Sequence, residues 1–180
     1  MQRELMGVTL MECLVALAIM AILSVLAVPS FRDVLARRTV LVTAEALVDD
    51  LRFARAEALK RGGQVSVCSS ANGLSCSQSA VWVEGWIVFV DGGNAAVVDG
   101  SDEILRVQTR RAGMASFAGD NPANDKISFS FRPMGMASPA SQSFKFTPAA
   151  PVPASSQRWV CMSSQGRPRL ASAGATSCSS

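Results

Sequence analysis

The sequence predicts an α+β protein in which a long N-terminal helix precedes an antiparallel β-sheet head domain. Three observations lead to this prediction. Residues 8–28 form an almost uninterrupted apolar run, residues 41–58 carry apolar side chains at three- and four-residue steps, and the chain after Gly63 alternates with period two. The first two patterns are typical of helices, and the third is typical of strands that bury one face.

The apolar run from Val8 to Val28 contains one charged residue, Glu12, and is closed by Pro29. A helix of about 21 residues is about 31 Å long, which matches the ~30 Å hydrocarbon core of a bilayer. A carboxylate inside such a span is costly and usually has a partner or a function. Residues 8–28 are therefore predicted to cross a membrane, and residues 1–7 to form a short leader that ends at Gly7.

This start closely resembles the class III signal of type IV pilins and of the pseudopilins of type II secretion. The resemblance implies that a prepilin peptidase cuts between Gly7 and Val8 and that Val8 becomes the N-methylated first mature residue. It also implies two roles in filament assembly: Glu12 pairs with the N-terminal amine of a neighbouring subunit, and Pro29 takes the place of a helix-bending proline. Val8 departs from the family, which most often has Phe at this position.

Residues 29–62 are predicted to continue the helix as an amphipathic segment that lies on the head. The apolar positions recur on one face: Leu41, Ala44, Val48, Leu51, Ala54 and Ala58. The charged residues fall largely on the other faces, which are expected in solvent: Arg37, Arg38, Glu45, Asp49, Asp50, Arg52 and Glu57. Lys60 and Arg61 suit a helix C-terminus, and the following glycines end the helix.

Residues 63–180 are predicted to form the β-rich head. The expected strands are 64–68, 81–90, 103–108, 126–132, 143–147 and 158–162, and residues 149–156, with two prolines, are expected in a surface loop. Gly85-Trp86-Ile87-Val88-Phe89-Val90 is apolar on both faces, so it is predicted to be a central strand that the helix covers on one side. Together with the helix end Arg55–Gly62, this strand resembles the FimT/GspH group of minor pilins and pseudopilins, which implies a pilin-like fold.

Five cysteines occur, and Cys13 lies in the predicted membrane helix. The other four form an even set in the part of the chain expected outside the cytoplasm: Cys68, Cys76, Cys161 and Cys178. Disulfides are therefore expected, with three pairings open, and proximity in the chain favours Cys68–Cys76 and Cys161–Cys178. Zinc binding is the weaker alternative because no short C-x-x-C spacing is present.

The chain has no histidine and no tyrosine, which excludes Ser-His-Asp and Cys-His catalysis and histidine-ligated metals. We expect no enzymatic activity, no resident metal and no cofactor. One acidic loop offers oxygen ligands that suit calcium: Asp91, Asn94, Asp99, Asp102 and Glu103. Its spacing is not that of an EF-hand, and the same residue types form turns, which is the interpretation we favour.

Charge is distributed unevenly along the head. Residues 62–125 carry seven acids and three arginines, whereas residues 126–180 carry no acid and six bases. The basic C-terminal region contains Gly166-Arg167-Pro168-Arg169, where the proline excludes regular helix and an extended chain places both arginines on one side. This segment resembles the Gly-Arg-x-Arg DNA-binding motif of FimT-type minor pilins from naturally transformable bacteria. The predicted DNA contacts are Arg167 and Arg169, presented by Gly166, with Arg158 and Lys145 in support.

The resemblance as a whole implies a minor type IV pilin that binds extracellular double-stranded DNA. It would be a single-pass protein of the bacterial inner membrane with a periplasmic head, and later part of an extracellular pilus fibre or its tip. The implied partners are the prepilin peptidase, other major and minor pilins, the inner membrane before assembly, and the phosphate backbone of DNA. Two alternatives stay open: a GspH-like pseudopilin of type II secretion, and a minor pilin that only primes pilus assembly.

Overall fold

A computed structural model describes residues 9–100, 102–119, 128–139, 142–149, 154–163 and 165–178. Gly7, Val8, Lys126 and the prolines of the loop at 149–156 lie outside these ranges. The elements follow the order α1 (Leu10–Arg61), β1 (Val65–Ser69), a 3-10 turn (Trp82–Glu84), β2 (Gly85–Val90), β3 (Ile104–Thr109), β4 (Met114–Gly119), β5 (Ser128–Phe131), β6 (Ala137–Ser138), β7 (Gln142–Pro148), a second 3-10 turn (Ala154–Ser156), β8 (Arg158–Met162) and β9 (Pro168–Leu170).

Helix α1 is one element of 52 residues that includes Pro29. Its N-terminus is closed by a capping box, in which Glu12 N donates to Thr9 Oγ1 at 3.3 Å and Thr9 N donates to the Glu12 carboxylate at 2.9 Å. Glu12 therefore has a local partner, Thr9, which the apolar pattern of the sequence does not indicate. At the other end, Gly62 takes the left-handed conformation, with φ of 64°, that commonly closes helices.

The membrane span over residues 8–28 stays a prediction. Among the residues whose placement the structure describes, no helix is both long and apolar enough to cross a membrane.

The second half of α1 buries the predicted apolar stripe against the head. Its fully covered residues follow the helical period: Val40, Ala44, Leu47, Leu51, Ala54 and Ala58. Asp50, which we expected on the solvent face, is instead buried, with 1% of its surface exposed. Its Oδ2 accepts a hydrogen bond from Trp86 Nε1 and its Oδ1 accepts one from Arg106 Nη1, both at 2.9 Å. A buried carboxylate is tolerated here because both oxygens are satisfied.

The described strands form two antiparallel sheets. The first has the order β3-β2-β1-β5-β6, and the second has the order β4-β7-β8-β9. In the first sheet, Val67 of β1 lies opposite Val88 of β2 and Phe129 of β5. The helix packs on strands of both sheets, and one apolar cluster lies between the three layers. The predicted fold class, a long helix on an antiparallel β head, is thus confirmed.

Strand β2 is buried on both faces, as predicted, but it is not the central strand. Trp86 and Val88 join the main core, whereas Ile87 and Phe89 pack with Cys68 on the opposite side. The centre of the sheet is β1, and β2 lies between β1 and the edge strand β3. Residues 82–84, which we had included in this strand, form a 3-10 turn instead.

Trp82 in that turn connects the two sheets. Its ring centroid lies 5.8 Å from that of Phe129 in the first sheet. It also lies 5.7 Å from Phe117 and 5.5 Å from Phe144, both in the second sheet. These separations and the tilted ring planes are those of favourable aromatic pairs.

Candidate nucleic-acid interface

The predicted arginine motif lies on the hairpin formed by β8 and β9, at one edge of the second sheet. Gly166 N donates to Ser163 O at 2.9 Å, Ser163 N donates to Arg167 O at 3.1 Å, and Arg167 N donates to Ser163 Oγ at 3.1 Å. Gly166 has φ of 71°, and a Cβ there would lie 2.9 Å from Ala137 N and 3.0 Å from Gly135 O. Only glycine satisfies both the backbone conformation and this close approach.

Both arginines of the motif are exposed, and Pro168 between them is buried. This alternation is what the extended chain predicted. The Arg169 Nη2 group donates to the carbonyl oxygen of Cys178 at 2.8 Å. Neither guanidinium lies within 4.0 Å of a carboxylate among the residues that the structure describes.

A disulfide holds the C-terminal segment against this hairpin. Cys161 is bonded to Cys178, and Cys161 lies directly opposite Arg169 in the β8–β9 pairing. Trp159, Ala171 and Ala175 complete a small apolar cluster around the bridge. The backbone oxygen that accepts from Arg169 is therefore part of the bridged segment. The second bridge, Cys68–Cys76, lies in the other sheet, where Cys68 packs on β2.

The two supporting residues are placed differently. Lys145 is half-buried on β7 and lies opposite Trp159, with its Nζ 5.9 Å from the indole centroid. Paired residues of antiparallel strands share a face, and so do residues two apart along one strand. Lys145 is paired with Trp159 and Arg169 with Cys161, so Lys145 and Arg169 lie on the same outer face of the second sheet. Arg158 lies opposite the buried Phe146, and its Nη1 donates to the carbonyl oxygens of Ser155 and Gln157. The structure thus brings Lys145, but not Arg158, to the face that carries Arg169.

Two further basic residues, Arg52 and Arg55 of helix α1, lie beside the motif. They line a shallow groove together with Arg167. The sequence pattern predicts a solvated face for Arg52 and indicates no role for Arg55. Their three-residue spacing shows that they share a helix face, but which part of the head that face meets depends on long-range packing.

The acidic loop uses its carboxylates as turn acceptors. Asp102 accepts from the backbone nitrogens of Gly92 and Asp99, and Asp99 accepts from that of Asn94. Asp91 is buried and accepts from Gln64, Ser66 and the Ala96 nitrogen. In the part of the chain that the structure describes, no group of three or more potential ligands could hold a metal ion. Asp99 and Asp102 thus act as hydrogen-bond acceptors within the turn.

Comparisons with known proteins agree with this architecture. A protein-family model described as "Type II transport protein GspH" matches residues 43–166, a range that ends just before Arg167. The structure is similar to that of the type IV minor pilin FimU of Pseudomonas aeruginosa, with a TM-score of 0.59, 19% identity, and coverage of 79% of this chain and 96% of that chain. It is also similar to the minor pseudopilin EpsH from the type II secretion system of Vibrio cholerae, with a TM-score of 0.54, 14% identity, and coverage of 78% and 99%. No curated protein matches the sequence.

Proposed function

Since the chain belongs to the GspH family of minor pilins and pseudopilins, we propose that it is a minor type IV pilin that binds extracellular double-stranded DNA for uptake in natural transformation. The observation that carries this proposal is the pair of exposed arginines, Arg167 and Arg169, on either side of the buried Pro168. They belong to a stretch, residues 126–180, that contains no acidic residue. A local positive field of this kind attracts a polyanion.

The binding would be to phosphates and independent of base sequence. A guanidinium donates in a planar fork that matches phosphate oxygens. The hairpin is short, and neither arginine stands on an element that would enter a groove of the duplex and read base edges. Contacts of this kind position a protein on DNA without specifying a sequence.

We propose the following route to the pilus. Residues 8–28 anchor the chain in the inner membrane with the head in the periplasm, and the prepilin peptidase removes residues 1–7. Glu12, whose carboxylate already accepts from Thr9 N, pairs with the methylated amine of an adjacent subunit during assembly with other pilins. The capping box supports this proposal because it holds the carboxylate at the helix N-terminus, where the peptide dipoles favour negative charge.

Processing gives the first testable prediction. The mature protein extracted from membranes is expected to begin at Val8 with an N-methyl group, and Gly7→Leu is expected to abolish cleavage because the peptidase must accommodate the chain at that position. Intact-mass measurement of the parent and the variant checks both statements. A mature chain that keeps Met1, or that begins near Ala27, would contradict the proposed route.

DNA binding gives the second prediction, measured on the full-length mature chain in detergent with a labelled duplex of mixed sequence. Each phosphate contact contributes about −0.9 to the slope of log affinity against log salt. Replacing both motif arginines, Arg167→Ala with Arg169→Ala, is therefore expected to make the slope shallower by about two and to lower transformation while piliation continues. Duplexes of different sequence should bind alike. An unchanged slope in the double variant would place the DNA contacts elsewhere.

A role as a pseudopilin of type II secretion is the second candidate. The description of the matching family and the likeness to EpsH favour it. The same binding experiment separates the two candidates: a pseudopilin is expected to show no DNA binding even at low salt, and its motif variants would leave transformation unchanged.

A further inference from the structure

A groove of about 500 Å³ lies between helix α1 and the β8–β9 hairpin. Among the residues with a described placement, its lining contains three arginines and no acidic residue, and comprises Arg52, Arg55, Ala56, Leu59, Arg167 and Pro168. Two parts of the chain that are more than a hundred positions apart therefore contribute cations to one concave surface. Such a concave surface, lined by charges of one sign, raises the local concentration of a ligand of opposite charge.

The turn at Gly135 holds the two sides of the groove together. Arg55 Nε donates to Gly135 O at 3.0 Å, so the turn is attached to the helix. The same carbonyl oxygen lies 3.0 Å from the position that a Cβ of Gly166 would occupy, so the turn also contacts the hairpin. The Gly135 turn thus relates Arg55 to Arg167 through a side-chain hydrogen bond on the helix side and a close backbone contact on the hairpin side.

In the described part of the chain, the positive charges of the groove lack strong ion-pair partners, and Arg55 keeps its two terminal nitrogens for a ligand while its Nε donates to Gly135 O. Among the described residues, neither Arg55 nor Arg167 lies within 4.0 Å of a carboxylate. Within the same set of residues, Arg52 has one carboxylate partner, Asp49, at 3.6 Å, and both side chains of that pair are more than half exposed. An ion pair of this kind is weak and yields readily to a stronger anion. Glu57, on the same helix, is already engaged by Lys60 and Arg61.

We propose that Arg52 and Arg55 of helix α1 form, with Arg167, a second phosphate-binding point of the same DNA surface, so that the backbone of the duplex runs from Arg169 across the hairpin into the groove. The proposal rests on the proposed function. It extends the contacts from the two arginines of the motif to four arginines on two elements. For the parent protein, four phosphate contacts correspond to a salt slope of about −3.6, against about −1.8 for the motif alone.

The test removes the helix arginines, Arg52→Ala with Arg55→Ala, from the full-length mature chain in detergent. Anisotropy titrations with a labelled duplex at several salt concentrations are expected to give a slope shallower by about two and an affinity at low salt that is lower by roughly three- to thirtyfold. The matched control is Arg37→Ala with Arg38→Ala, which removes the same charge from exposed positions earlier in the same helix. Its slope is expected to equal that of the parent.

Arg55→Ala also removes the hydrogen bond to Gly135 O and could change folding as well as DNA binding. Two single variants therefore test DNA binding without removing that bond. Arg52→Ala removes a side chain that is mostly exposed and is expected to lower the magnitude of the slope by about one. Asp49→Asn releases Arg52 from its partner and is expected to strengthen binding by roughly two- to fivefold. Neither variant removes a described hydrogen bond or a buried group.

The outcomes distinguish this inference from the proposed function. Suppose that the helix variants keep the parent slope while the slope of Arg167→Ala with Arg169→Ala becomes shallower by about two. The groove is then not part of the DNA-binding surface, and the proposed function stands. If the control at positions 37 and 38 flattens the slope as much as the groove variants do, the effect is one of net charge and the inference is wrong. If the parent itself does not bind the duplex at low salt, the proposed function fails and this inference fails with it.

Discussion

Replacing Asp50 by alanine is expected to lower the free energy of unfolding of the head by about 3 kcal/mol. The carboxylate is almost completely buried and accepts from Trp86 Nε1 and from Arg106 Nη1. Its removal leaves a buried indole N–H without an acceptor and a guanidinium without its partner. Losing one member of a buried ion pair costs about 3–5 kcal/mol, and we expect the lower end because the Arg106 side chain is 42% exposed and can be hydrated.

Chemical denaturation of the full-length chain, followed by tryptophan fluorescence, measures this change as a shift in midpoint at constant slope. The neighbouring Asp49→Ala is the matched control, since that carboxylate is exposed and its removal is expected to change stability by less than about 0.5 kcal/mol. Arg106→Ala is expected to be at least as harmful as Asp50→Ala, because it leaves the more deeply buried charge of the pair without compensation. Equal midpoints for Asp50→Ala and Asp49→Ala would show that the pair does not stabilise the head.

Removing the bridge between Cys161 and Cys178, with both cysteines changed to serine, is expected to cost about 3 kcal/mol. The bridge closes a loop with a sequence separation of 17, and the chain-entropy model gives this magnitude for such a loop. The variant should also bind DNA more weakly, since the oxygen that accepts from Arg169 belongs to Cys178. Denaturation and the anisotropy titration are done on the same preparations.

The control for this prediction is the other bridge, Cys68–Cys76. It closes a shorter loop, with a sequence separation of 8, and its removal is expected to cost about 2.5 kcal/mol. Because it lies in the other sheet, the serine variant should keep the parent affinity for DNA. Equal losses of affinity in both variants would mean that the Cys161–Cys178 bridge acts only through the stability of the head.

The sequence predicted the helix and most of the first sheet because their signals are local. Ala44, Leu51 and Ala58 recur at the helical period, and residues 85–90 are apolar throughout. Asp50 was misplaced because its burial depends on Trp86 and Arg106, which are distant in the chain. Strands β4 and β9 were missed for a different reason. Met114–Gly119 consists mainly of small residues, and Pro168–Leu170 is too short to show a period.

The candidate site was predictable in part for the same reason. Arg167, Pro168 and Arg169 are adjacent in the chain, so alternation alone predicted that both arginines lie on one side; the burial of Pro168 comes from the structure. Arg52 and Arg55 could not be added from sequence, since their place beside the hairpin follows from the contact of Arg55 with Gly135 and from the absence of a Cβ at Gly166. Lys145 and Arg158 face opposite sides of the second sheet. Only the strand register shows this, and the register cannot be read from their positions in the chain.

The two sheets of the head share their main core. Strands of both sheets contribute to one apolar cluster, and the ring of Trp82 touches aromatic side chains of each. Local opening of one sheet would expose the apolar face of the other, so its free-energy cost approaches that of global unfolding. Strand β9, only three residues long, packs Leu170 against this cluster. The arginines of the β8–β9 hairpin therefore stand on a backbone that stays in place, and Arg169 keeps its hydrogen bond to the Cys178 carbonyl oxygen.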